Sequence, residues 1–90
     1  MLIMTESAGA RLARKLVKKE AAKDMAARFV RDPKRAGWVI QVDHLRPSDV
    51  TFSHDGKTVL LLDEQASHSL RNKMLDVTET DEGPRLKFRS

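Results

Sequence analysis

Hydrophobic and polar positions follow different periods in different parts of the chain, and each period predicts an element. From Val59 to Leu62 every position is apolar. A strand with one wet face alternates, so this unbroken run predicts a central strand, Thr58 to Leu62, covered on both faces. Before it, Val50 to Ser53 predicts a short strand, joined through a tight turn at His54-Asp55-Gly56-Lys57. Asp-Gly suits that turn because both residues accept positive φ. After it, Asp63 is a natural N-cap for a short helix, Glu64 to Leu70. Arg71-Asn72-Lys73 should turn the chain, with Asn72 tolerating a left-handed backbone. Leu75 to Thr80 and Arg85 to Arg89 read as the last two strands, separated by a Gly83-Pro84 turn.

The N-terminal third has a helical period. Thr5 or Ser7 can cap a helix with Glu6 in its first turn, and the pattern carries it to Lys23. Ala8, Leu12, Ala13, Leu16 and Val17 form a narrow apolar side, built largely from small residues that would lie on a sheet. Arg11, Arg14, Lys15, Lys18 and Lys19 fall within an opposite arc of roughly 140°. Met25 to Arg31 and Trp38 to Asp43 then read as strands, with the turn Asp32 to Gly37 between them. In the second of these Trp38, Ile40 and Val42 share a face, so Trp38 is a core or sheet-edge anchor and not a stacking platform for a ligand. The expected class is α+β, mainly β: small sandwich-like sheets with an N-terminal helix and one short internal helix, in a single domain covering residues 1–90.

Composition narrows the chemistry more than the fold. A chain of 90 residues with 40% hydrophobic and 33% charged residues is one small globular domain with a limited core. Cysteine is absent, which removes disulfides, thiolate metal sites and cysteine nucleophiles together. No apolar run approaches the roughly 18 residues of a membrane span, and the opening lacks a basic n-region, so the expected location is the cytoplasm without membrane association. A formal charge of +4 permits an acidic partner.

In order along the chain, several short patterns resemble the HesB-like domains, the A-type iron–sulfur cluster carriers. Thr5-Glu6-Ser7-Ala8 is similar to their opening Thr-Glu-x-Ala. Asp49, Phe52, Asp55-Gly56 and Asp63 resemble an Asp-x-x-Phe, an Asp-Gly and a strand ending in Asp. Leu70, Asn72, Leu75 and Asp76 resemble a Leu-x-Gly-x-x-Leu-Asp in which Asn replaces Gly, and Gly83, Leu86 and Phe88 a closing Gly-x-x-Phe-x-Phe. The resemblance implies the HesB-like fold and a possible homodimer. The departures from it fall on the metal ligands. By this resemblance the family's first cysteine corresponds to Arg35, in the loop Lys34-Arg35-Ala36-Gly37, and its Cys-Gly-Cys tail lies beyond the final strand, past Ser90 where this sequence stops. Iron–sulfur clusters are held mainly by thiolates, and a guanidinium does not replace one.

The remaining candidates for chemistry are weak as sequence. His44, His54 and His68, with Asp43, Asp49, Asp55 and Asp63 nearby, have no metal-ligand spacing. Ser67-His68-Ser69 points neighbouring side chains in different directions, and no nucleophile elbow, Walker loop, HExxH or dinucleotide fingerprint occurs, so neither an enzyme nor a cofactor is expected. The expected function is a ligandless HesB-like domain that binds a protein partner or regulates, near iron–sulfur assembly. Its candidate basic surface is Arg11, Arg14, Lys15, Lys18, Lys19, Lys34 and Arg35. The alternative is nucleic-acid binding through the Arg11–Lys19 face, which lacks interleaved aromatic residues.

Overall fold

The computed structural model describes residues 1–34 and 37–90. Its elements run β1 (Ile3–Met4), α1 (Glu6–Lys18), β2 (Met25–Arg31), β3 (Trp38–His44), β4 (Val50–His54), β5 (Lys57–Leu62), α2 (Glu64–Ser69), β6 (Met74–Thr80) and β7 (Gly83–Arg89). The strands form a four-stranded sheet, β3-β2-β5-β4, and a three-stranded sheet, β1-β6-β7. β5 is an interior strand and Val59 to Leu62 are all buried, as the unbroken apolar run requires. Asp55 and Gly56 have φ of 51° and 77°, the pair of left-handed residues that closes a tight hairpin. Asp63 caps α2 by accepting from the Ala66 N–H at 2.7 Å.

Between the sheets, Phe29 of β2 meets Phe88 of β7 with ring centroids 5.0 Å apart. Leu12 and Leu16 of α1 complete the same core. Gly9 of α1 is buried too, and a Cβ there would stand 2.9 Å from Nδ1 of His54. The missing side chain therefore lets the helix lie close against β4.

Four expectations need correction. The helix stops at Lys18 and not at Lys23, because Glu20 adopts φ 52° and the chain reverses. There the Glu20 N–H donates to the Val17 carbonyl and the Ala21 N–H to the Leu16 carbonyl, each at 3.0 Å, the paired bonds of a Schellman ending. Val17 leaves the apolar side and is 70% exposed, since the buried stripe centres on Ala8, Gly9, Leu12 and Leu16. Asn72 is not left-handed: among the described residues positive φ at a non-glycine occurs only at Glu20 and Asp55. The last hairpin turns at Asp81-Glu82, immediately before the expected Gly83-Pro84 site, and Gly83 and Pro84 already pair with Thr80 and Glu79 in the ladder.

β1 was not foreseen from the pattern, and two residues are too few to show one. It pairs in parallel with β6, Ile3 with Met74 and Met4 with Leu75. Immediately after it, the Thr5 hydroxyl donates to Oδ1 of Asp76 at 2.9 Å and accepts from the Ala8 N–H at 3.2 Å. One side chain thus caps α1 and ties it to β6. Thr5→Ala removes both bonds and should lower stability by about 1–2 kcal/mol, read as a lower urea midpoint at unchanged slope.

Candidate cationic docking face

The buried stripe of α1 is set by residues four apart, and the cations follow the same period one position before it, Arg11 beside Leu12 and Lys15 beside Leu16. At about 100° per residue, Lys15 lies only about 75° round the helix from the middle of that stripe. The basic arc therefore starts at the flank of the core, with Lys15, and continues round to Arg14 on the opposite side of the helix. Arg11 and Lys15 are half-buried at that flank, while Arg14, Lys18 and Lys19 stand exposed. Among the described residues none of the five forms an ion pair.

The five line a shallow groove of about 180 Å³. A second groove, about 400 Å³, begins from Arg11 and Lys15 and extends to Ile40 on β3 and to Glu82, Pro84, Arg85 and Leu86 at the start of β7. Lys34 lies on neither groove. It sits in the β2–β3 turn, its N–H donating to Oδ1 of Asp32 at 2.9 Å. Arg35, the remaining predicted cation, lies outside the described residues. The structure brings five of the seven candidates together and leaves Lys34 apart.

A larger cleft of about 790 Å³ lies between α2 and the ends of β2 and β3. Trp38 is half-buried there at the sheet edge, packed against the core, with the Arg31 guanidinium 4.4 Å above its ring. Asp63, Glu64 and His68 line the opposite wall, so the charges in this cleft are mixed.

A charge cluster that the sequence did not reveal sits under the four-stranded sheet. Arg28 of β2 is buried, and its guanidinium grips Asp49 two-pronged, Nη1 to Oδ1 at 2.8 Å and Nη2 to Oδ2 at 2.5 Å. Its Nε donates to Oδ2 of Asp43 at 3.0 Å, and Nη2 also donates to the His44 carbonyl. The Asp49 carboxylate also accepts from the Arg46 N–H. The bonds from Arg28 hold the Asp49 carboxyl below the usual carboxylate range, against the opposing effect of burial. Reciprocally, the bond to Asp49 raises the Arg28 guanidinium further.

This cluster also engages Asp43 and Asp49, two of the four carboxylates that lie near the histidines in sequence. The histidines are dispersed: His44 Nδ1 lies 2.8 Å from Asp24, His54 Nε2 3.4 Å from Asp55, and His68 Nε2 2.9 Å from Arg71. Hydrogen bonding with His44 is the main reason that the Asp24 carboxyl titrates below its ordinary value. The described residues bring together no three His, Asp or Glu side chains able to hold a metal ion. With no cysteine anywhere in the sequence, the donor set does not fit an iron–sulfur cluster.

No protein-family model and no curated protein matches the chain. Solved structures do. Escherichia coli SufA, involved in the biosynthesis of iron–sulfur clusters, superposes with a TM-score of 0.76 at 21% identity, covering 99% of this chain and 84% of SufA. IscA, solved with a 2Fe–2S cluster, superposes with a TM-score of 0.65 at 19% identity, covering 100% of this chain and 85% of IscA. The chain has the HesB-like fold of these two proteins, mainly β with two helices, as its motif order implied. No described helix is long and apolar enough to cross a membrane.

Proposed function

We propose that this chain, built on the fold of SufA and IscA without any of their family's cysteines, acts through its surface as a protein-binding or regulatory module connected with iron–sulfur assembly. The observation that carries the reading is the set of cations along α1 that form no ion pair among the described residues, held beside a groove on a scaffold with no thiolate to grip a cluster. Cations left without carboxylates of their own chain favour an acidic partner, because like-charge crowding is relieved on contact. Neither an enzymatic step nor a bound cofactor is part of this reading, and the protein acts in the cytoplasm, alone or as a homodimer.

Affinity capture from the native cell tests it. The wild-type chain should recover a protein partner at near-native abundance. Arg14→Glu with Lys18→Glu should reduce that recovery about tenfold while leaving Tm unchanged, because both side chains are exposed and make no ion pair. Recovery of no protein partner, or a coloured iron–sulfur centre after anaerobic supply of iron and sulfide, overturns the reading.

A further inference from the structure

The two grooves on the α1 flank share Arg11 and Lys15, so the cations and an apolar floor form one continuous surface. The floor comes from separate elements: Ile40 belongs to β3, the last strand of one sheet, and Leu86 to β7, the last strand of the other. Both are half-buried against the core, and Pro84 sits beside Leu86. Among the described residues one carboxylate faces the groove, Glu82, and it is already paired with Arg85, Nη2 to Oε2 at 2.5 Å. Arg11 and Lys15 remain as charges at the mouth with no ion pair among the described residues.

We propose that this surface takes a short acidic segment of a partner protein carrying one aliphatic side chain, which seats on Ile40 and Leu86 while its flanking carboxylates meet the α1 cations. The inference rests on the docking function above and specifies the chemistry recognised. A uniform row of phosphates has no use for the apolar floor. Nucleic-acid grooves also supply aromatic faces for the bases. Here Phe29, Trp38, Phe52 and Phe88 line neither groove. An acidic peptide with one aliphatic anchor uses both parts of the surface: the anchor supplies affinity and register, the charges the rate of encounter.

The test uses the full chain, isotopically labelled, and three probes: a short peptide of Asp and Ser around one central Leu, its Leu→Ala analogue, and an oligothymidylate of equal length. The Leu peptide should bind about tenfold more tightly than the Ala analogue, the loss expected when an anchor's burial is largely removed. Its titration should shift the amide resonances of Ile40, Arg85 and Leu86 together with those of Arg11 and Lys15. Ile40→Thr should equalise the two peptides, and if that variant unfolds the amide shifts of the wild type still locate the contact. Equal affinity for both peptides, with shifts confined to α1, overturns the apolar seat and leaves the docking face standing. Binding of neither peptide overturns the groove, and capture from the cell then decides the broader function by itself. Tighter binding of the oligothymidylate than of the Leu peptide overturns both in favour of nucleic acid.

Discussion

Arg28→Ala should destabilise the protein by about 3–5 kcal/mol, measured as the free energy of urea unfolding at neutral pH. The loss is large because of what stays behind. The Asp49 side chain is 1% exposed, and without the guanidinium its negative charge is left in a desolvated place with the Arg46 N–H as its remaining donor. A domain this small holds only about 5–10 kcal/mol in total, so much of its margin goes. Replacing both partners, Arg28→Met with Asp49→Leu, should recover a large part of the loss, since no buried charge then lacks a counter-charge. Arg28→Lys should fall between, because an ammonium cannot make the two-pronged contact.

The same pair sets the acid response. The folded carboxyl of Asp49 titrates below its unfolded value of about 4, so its stabilisation is complete above that value. It is lost as pH falls through the folded value, and wild-type stability should decline from about pH 5 downward. In Arg28→Ala the largest cause of that lowering is gone, and burial is opposed only by the Arg46 N–H and the Arg46 charge. The variant's stability should therefore decline less steeply than the wild type's below about pH 5. Unfolding curves for both proteins across that pH range check this, and parallel slopes would remove the pair from the account of stability.

The second large effect is expected at Leu60→Ala, about 2–5 kcal/mol by the same measurement. Leu60 is fully buried on β5, opposite Ala27 of β2 on one side and Phe52 of β4 on the other. Ala27 has no side chain long enough to move into the vacated space, so the cavity persists on that side. Phe52 is half-buried and can tilt inward, which keeps the loss below that of a cavity with rigid walls on every side. Val17→Ala is the matched control. It also shortens an aliphatic side chain, but on the exposed side of α1, and should change stability by less than about 0.5 kcal/mol.

These two sites show how legible the chain was. Leu60 was legible because its burial follows from adjacent residues: four apolar positions in a row admit no wet face. The Asp55-Gly56 turn and the Asp63 cap were legible for the same local reason, each depending on residues within one turn. Arg28 was not. Inside Met25 to Arg31 a charged residue reads as solvent-facing, and its partners Asp43 and Asp49 lie 15 and 21 residues away. The available signal was an arginine flanked by apolar residues on both sides, Ala26-Ala27 and Phe29-Val30, where no wet face was on offer. The early end of α1 was hidden because Glu20, and not a glycine, takes the left-handed position. The basic surface was readable as a set of residues on one helix. Its junction with Ile40 and Leu86 depends on β3 and β7 meeting at the α1 flank, which no local pattern encodes.

The pairing of β1 with β6, together with the Thr5 bond to Asp76, has a consequence for biosynthesis. The larger sheet is drawn from one uninterrupted stretch of sequence, whereas the smaller one joins Ile3 and Met4 to Met74 and Leu75, far apart along the chain. As the polypeptide leaves the ribosome, the larger sheet can assemble early, but the Phe29 ring must wait for Phe88, far later in the chain, before it is covered. The newborn molecule therefore carries an oily, half-finished surface until β7 has emerged.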